Sequence, residues 1–225
     1  MSIKIKICGL SRKEDVEAVN EFLPDYIGFV FAETSKRRIS ADRAAVLAEQ
    51  VSPGIRKTGI FVNEAIPFIT KMVENHVIDA IQLHGQEDEE YIKRLEEALN
   101  AGKRKEIQII QAFSVTSAED IRKAEKSSAD MILLDKGRGG TGSCFDWKLA
   151  GEMGRPFFLA GGLNEENVEE AIRLTRPYGL DLSSGAETNG IKDKEKIERI
   201  IRRIRNGKRQ IWSPRRTVYT GNTDE

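Results

Sequence analysis

Residues 3–10, IKIKICGL, decide the fold of this chain. Ile3, Ile5 and Ile7 alternate with Lys4, Lys6 and Cys8, the two-residue period of a β-strand with unlike faces. On the plain reading the lysine face looks at water. That face ends, however, in a cysteine followed at once by Gly9. In a closed barrel the isoleucines pack against surrounding helices, while Lys4, Lys6 and Cys8 point inward with Cys8 at the rim. An inward lysine then needs a counter-charge, because an unpaired buried charge is costly. Lys6, one layer below the thiol, is expected to lower the Cys8 pKa, and a side chain at Gly9 to crowd whatever Cys8 must reach.

Outward from this stretch, short apolar runs alternate with charged, helix-patterned segments. Strands are expected at 3–8, 26–31, 57–62, 78–83, 107–112, 130–135, 156–160 and 179–183. Helices are expected near 12–22, 41–50, 65–75, 87–100, 117–126, 146–153, 165–175 and 192–206. SRKE (11–14) and TSAE (116–119) have the form of capping boxes, and Ser40 that of an N-cap. Strict alternation argues for a parallel sheet, open or closed, and the count of eight favours a single (β/α)8 TIM barrel in the α/β class. PDYIGFV, IDAIQLH and ADMILLD form a weak internal repeat that places Asp25, Asp79 and Asp130 at strand mouths. The barrel is expected over 1–205, with 206–225 as a flexible C-terminal tail bearing Trp212 and Tyr219.

Composition narrows the partners. The 225 residues carry 36 basic and 36 acidic side chains, so no overall electrostatic footprint argues for nucleic acid. Hydrophobic content of 39% is enough for a core. No apolar leader and no run of about 18 apolar residues argue against export and membrane spanning. With only Cys8 and Cys144, a reducing, cytoplasmic setting is expected.

In a barrel the site lies at the C-terminal strand ends. Cys8, His84, Asp135 and Ser183 stand at the ends of strands one, four, six and eight, and Gln82 and Asp181 share the inward faces of His84 and Ser183. LAGGLNEENV (159–168) and DLSSGAE (181–187) bring Gly161, Gly162, Ser183, Ser184 and Gly185 to the last two loops, with a helix starting near Asn164. Glycines let backbone N–H groups approach a phosphate closely, and these are the loops that often hold one. Lys36, Arg37 and Arg38 follow strand two, where an arginine fork suits a carboxylate.

KICGLSRKEDV, GFVFAETSKRRIS, GIFVN, IQLHG, GGTGSCFDW, LAGGLNEENV and LDLSSGAE occur in one order, and together resemble the phosphoribosylanthranilate isomerase family of tryptophan biosynthesis, over about residues 3–205. The resemblance implies an Amadori rearrangement of N-(5-phosphoribosyl)anthranilate to 1-(2-carboxyphenylamino)-1-deoxyribulose 5-phosphate. It implies a phosphoribosyl small molecule as the partner, no cofactor and no metal. It makes Cys8 the general base and Asp135 the general acid. It sets Arg37 at the anthranilate end, Gly161, Gly162, Ser183, Ser184 and Gly185 at the phosphate, and Gln82, His84 and Asp181 along the pocket. A monomer or homodimer is expected. Departures are a short loop 136–144, Cys144 where threonine is common, and Arg38 where an aromatic is common. A histidine-pathway phosphosugar isomerase is the alternative enzyme, but it would carry Asp at Cys8. A non-catalytic phospholigand-binding barrel is the alternative outside enzymes.

Overall fold

A computed structural model of the chain describes residues 2–104, 106–136 and 146–206. Eight parallel strands close into a barrel in sequence order. They are β1 (Lys4–Cys8), β2 (Tyr26–Val30), β3 (Arg56–Phe61), β4 (Ala80–Leu83), β5 (Gln108–Ser114), β6 (Met131–Asp135), β7 (Phe157–Leu159) and β8 (Gly179–Leu182). Each is followed by a helix: α1 (Lys13–Phe22), α2 (Ala41–Ala48), α3 (Ile66–Glu74), α4 (Glu89–Ala101), α5 (Ala118–Glu125), α6 (Trp147–Ala150), α7 (Val168–Thr175) and α8 (Lys194–Asn206). The expected (β/α)8 barrel is therefore the fold. The tail beyond 206, Cys144 and most of the loop 136–144 lie outside the described residues.

Alternation sorts the strands into two cores. Ile5, Ile7, Ile27, Phe29, Phe61 and Ile81 join the layer between strands and helices. Tyr26, Ile110, Met131, Leu133, Phe158 and Ala160 fill the barrel itself, and Cys8, Val30, Ala32 and Ile60 form a separate apolar rim. The lower interior is plugged by aromatic edges. Tyr26 and Tyr178 each meet the Phe158 ring edge-on, at 5.2 and 5.3 Å between centroids. Gly179 makes room, because a Cβ there would lie 2.4 Å from the Phe158 ring.

The inward lysines have counter-charges. Lys6 is fully buried and its Nζ lies 2.9 Å from Asp181, its register partner across the β1–β8 seam. Lys4 pairs with Asp25 at 2.6 Å.

The repeat of aspartates is real, but its position is opposite to that expected. Asp25, Asp79 and Asp130 precede their strands, at the face away from the site. Each accepts one backbone N–H from the strand before: Ile5, Lys57 and Ile109, at 2.8 to 3.0 Å. A carboxylate at that point supplies an acceptor where the parallel ladder runs out.

Three helix starts also shift. Asp15 Oδ2 accepts from Ser11 and Arg12 N–H, so Arg12 is the N-cap rather than Ser11. Asp120 does the same for Thr116 and Ser117, making Ser117 the cap. In both, the residue one place beyond the expected glutamate reaches back, because aspartate's shorter arm fits the two N–H groups. The helix expected from Asn164 begins at Val168, since the Asn164 side chain accepts from Glu166 and Asn167 N–H and closes a local turn first. Ser40 caps α2 as expected, accepting from Arg43 N–H.

Replacing Asp25, Asp79 or Asp130 by Ala should cost about 1–2 kcal/mol each in urea unfolding, while Asn, which keeps an acceptor, costs less than half of that. Equal losses for Ala and Asn would assign the effect to charge alone.

Candidate active site

Cys8 ends β1, and its seat is made by a missing side chain. A Cβ on Gly28 of the neighbouring strand would lie 2.8 Å from the Cys8 sulfur. Ser183 Oγ donates to the Cys8 carbonyl at 3.1 Å, tying the end of β8 to it. Around the thiol stand Lys6, Lys192 and Asp181. Burial pushes the thiol up, Lys6 and Lys192 pull it down and Asp181 pushes it up again, leaving it above its ordinary value. The expected downward pull of Lys6 is therefore present, but it does not set the net direction. Lys6 does act downward, but it is paired to Asp181, and desolvation of the thiolate is the larger effect. Lys6 stays charged: burial pulls its ammonium down, and Asp181 together with Cys8 more than offsets this.

Asp135 ends β6. His84, just beyond β4, approaches it at 3.6 Å through Nε2. Gln82 Nε2 meets His84 Nδ1 at 2.9 Å. With Gln82 donating, the neutral ring carries its proton on Nε2, facing the carboxylate. The other Asp135 oxygen accepts from Lys136 N–H at 2.7 Å. Gly161 lies against that same oxygen: a Cβ there would sit 2.6 Å away, and its φ of +86° favours glycine.

The loops after β7 and β8 interlock. A Cβ on Gly185 would fall 1.9 Å from the Leu163 carbonyl oxygen, so only glycine lets the two backbones touch. Gly162 continues the left-handed path with φ +68°. Ser183 is half-buried and Ser184 exposed at this rim, with Ser184–Ala186 forming a single 3-10 turn.

Arg37 turns back across the mouth. Its stem lies on Gly9, where a Cβ would meet Arg37 Cδ at 2.4 Å, and Gly9 has φ +86°. Glycine is needed there by backbone conformation and by Arg37, which replaces the crowding of a ligand as the reason. The guanidinium is already engaged: Nε and Nη2 donate to Glu187 at 2.6 and 2.7 Å.

The family model described as N-(5'phosphoribosyl)anthranilate (PRA) isomerase matches residues 5–203. This chain belongs to the phosphoribosylanthranilate isomerase family. The N-(5'-phosphoribosyl)anthranilate isomerase of Clostridium acetobutylicum is 41% identical, over 90% of this chain and 98% of the relative. That of Acetivibrio thermocellus is 42% identical, over 89% and 95%. Among solved structures, the isomerase of Thermotoga maritima superposes with a TM-score of 0.80 at 34% identity, over 91% of this chain and 99% of that one. A phosphoribosyl anthranilate isomerase in complex with reduced 1-(o-carboxyphenylamino)-1-deoxyribulose 5-phosphate superposes with a TM-score of 0.78, also at 34% identity, over 91% and 99%.

The barrel thus gathers the expected isomerase residues on its C-terminal face, at two depths. Cys8, His84, Asp135, Ser183 and the glycines stand at strand ends. Asp181 lies a layer lower, held by Lys6, with its Oδ1 lacking a partner among the described residues. Gln82 is buried, and its Oε1 is likewise unpartnered there. Among the described residues no group of three or more His, Cys, Asp and Glu is placed to hold a metal ion, and no helix is long and apolar enough to cross a membrane.

Glu187 and Lys192 were missed from the sequence. They face each other across a two-residue hairpin, β9 (Glu187–Thr188) and β10 (Ile191–Lys192), turned by Asn189 and Gly190 at φ +54° and +79°. The signal was present in ETNGIK (187–192), since Asn-Gly is the favoured pair for such a turn.

In a Cys144→Ser background, alkylation of Cys8 as a function of pH should titrate above an ordinary thiol in the free protein. Lys6→Met should move it further up. An unchanged titration in Lys6→Met would remove Lys6 from the thiol's electrostatics.

Proposed function

We infer that this chain converts N-(5-phosphoribosyl)anthranilate to 1-(2-carboxyphenylamino)-1-deoxyribulose 5-phosphate, with Cys8 as general base and Asp135 as general acid. The observation that carries the reading is the placement of Cys8 and Asp135 at the ends of β1 and β6, facing one mouth, in a chain of this family.

The chemistry needs a proton in and a proton out. Asp135 gives its proton to the ribose ring oxygen. The C1–O bond breaks as the anthranilate nitrogen's lone pair forms C1=N, opening the sugar to an iminium. The Cys8 thiolate takes the C2 proton. The C–H electrons form C1=C2, and the C1=N pair returns to nitrogen. The resulting enolamine tautomerises to the ketone, with the hydroxyl proton leaving and a proton arriving at C1. Carbon 2 is oxidised and carbon 1 reduced within one molecule, so no external oxidant, reductant or metal enters the balance.

His84, held by Gln82, presents its ring to Asp135 at 3.6 Å, while Lys136 N–H anchors the other carboxyl oxygen. Gly161, Gly162, Ser183, Ser184 and Gly185 form the phosphate end, supported by the contact of the two loops at Gly185 and the left-handed glycines. The Arg37 guanidinium takes the anthranilate carboxylate. Asp181 acts from below, through Lys6. The balanced charge favours no nucleic-acid partner. We further infer a monomer or homodimer at work in the cytoplasm; the Thermotoga maritima relative is described as dimeric.

Cys8→Ser and Asp135→Asn should each fold normally, bind the reduced product analogue, and lose about 10²- to 10⁴-fold in turnover. Turnover like the wild type in either variant would remove the assigned base or acid. Expression in a tryptophan auxotroph lacking only this isomerase should restore growth; a folded protein that fails to do so would overturn the reading.

A further inference from the structure

Arg37, Glu187 and Lys192 form a charge cluster that the reaction itself does not account for. Glu187 is buried and accepts from both cations: bidentately from Arg37, and on Oε1 from Lys192 Nζ. Lys192 is buried too and donates to the Ser183 carbonyl at 3.1 Å. Burial pushes the Glu187 carboxyl up, but Arg37 and Lys192 outweigh this and hold it below the usual carboxylate range. The carboxylate is therefore ionised.

A guanidinium has two useful bidentate edges. Glu187 occupies the Nε/Nη2 edge. The Nη1/Nη2 edge has no acceptor among the described residues, and the Arg37 side chain is 32% exposed there at the mouth. Burial pulls the Lys192 ammonium below its ordinary value and Glu187 works against this; with Lys192 protonated, two cations share one carboxylate and the cluster is net positive. With Arg37 and Glu187 alone, the pair would be neutral and would attract a second carboxylate far less.

We propose that Glu187 is the positioning residue for Arg37, and Lys192 the counter-cation that keeps the pair positive, so that the β9–β10 hairpin sets the enzyme's preference for a substrate bearing a ring carboxylate. This rests on Arg37 taking the anthranilate carboxylate. Glu187 fixes the plane of the guanidinium and turns its free edge to the pocket. Lys192 is fixed in turn by the hairpin register, which puts it directly opposite Glu187. The Asn-Gly turn of a surface hairpin thereby reaches the binding of the aromatic acid.

The test compares two probes: the reduced product analogue, and the same compound lacking the ring carboxylate. Their ratio of dissociation constants reads the carboxylate site alone, because the phosphoribosyl part is common to both. For the wild type the ratio should be about 10 to 100, the range of a charge-assisted bidentate contact. Arg37→Met should bring it near one. Glu187→Asp, which keeps the charge while its shorter arm withdraws the guanidinium, should lower it about tenfold, with binding of the carboxylate-free probe unchanged as an internal check on folding, and should raise KM more than it lowers kcat. Lys192→Met should lower it in the same direction. If Glu187→Asp fails to fold, Glu187→Gln provides the second reading: it removes the charge that opposes a bound carboxylate, so a lowered ratio there reports lost orientation alone. A ratio kept within about twofold in the folded Glu187 variant, while Arg37→Met abolishes it, overturns the positioning role and leaves Arg37 in place. A ratio kept in Arg37→Met overturns the Arg37 assignment itself.

Discussion

The buried pair of Lys6 and Asp181 is the constraint on which the rest of the barrel depends. Two charges taken out of water lose several kcal/mol of solvation each, and recover it only in good geometry. Here they are direct register partners, 2.9 Å apart, on the two strands whose pairing closes the sheet. A slip of one residue along β1 would turn Lys6 into the apolar layer under the helices and Ile5 or Ile7 into the barrel. The pair therefore resists slippage more than it adds stability. Removing one partner leaves an uncompensated buried charge, which typically costs about 3–5 kcal/mol. Because Cys8 is two residues beyond Lys6 on the same face, the register that satisfies the lysine is also the register that puts the thiol at the rim.

The same pair explains why a lysine below a cysteine does not make a reactive thiolate in the resting protein. Asp181 takes up much of the field of Lys6 and repels the thiolate directly, while burial removes the water that would solvate it. Position and charge thus come apart: Lys6 fixes where the sulfur is, and does less to its titration than its proximity suggests.

What the sequence made legible follows from how local each signal is. Alternation in IKIKICGL identified both faces of β1, because period and burial are local properties of a strand. Strand ends at Cys8 and Asp135 were legible for the same reason. The aspartates at 25, 79 and 130 were visible as a repeat, but which end of the barrel they occupy depends on where each strand begins, and their role lies in the neighbouring strand's backbone. The caps at Arg12 and Ser117 moved by one residue, since whether Glu or Asp reaches back is a matter of side-chain length. Glu187 and Lys192 escaped for a different reason. Their hairpin is written in ETNGIK, but its return to Arg37, 150 residues away in sequence, is a property of the closed barrel alone.

The arrangement of charge at the mouth bears on how a thiol pushed up by burial can act as the proposed base. A protonated Cys8 is inert in the empty site. On the proposed assignment the substrate brings two anionic ends, its carboxylate to the cluster of Arg37 and Lys192 and its phosphate to the glycine loops of β7 and β8, which leaves the centre of the molecule to Cys8 and Asp135. In the proposed mechanism the nitrogen becomes an iminium beside C2 when the Asp135 proton opens the ring. That positive charge acidifies the C2–H bond and favours a thiolate nearby in the same step. The positive charge that Lys6, shared with Asp181, supplies only in part is completed by the intermediate. On this reading the high resting thiol is compatible with fast proton transfer, because the base is charged only when there is a carbon acid for it to meet.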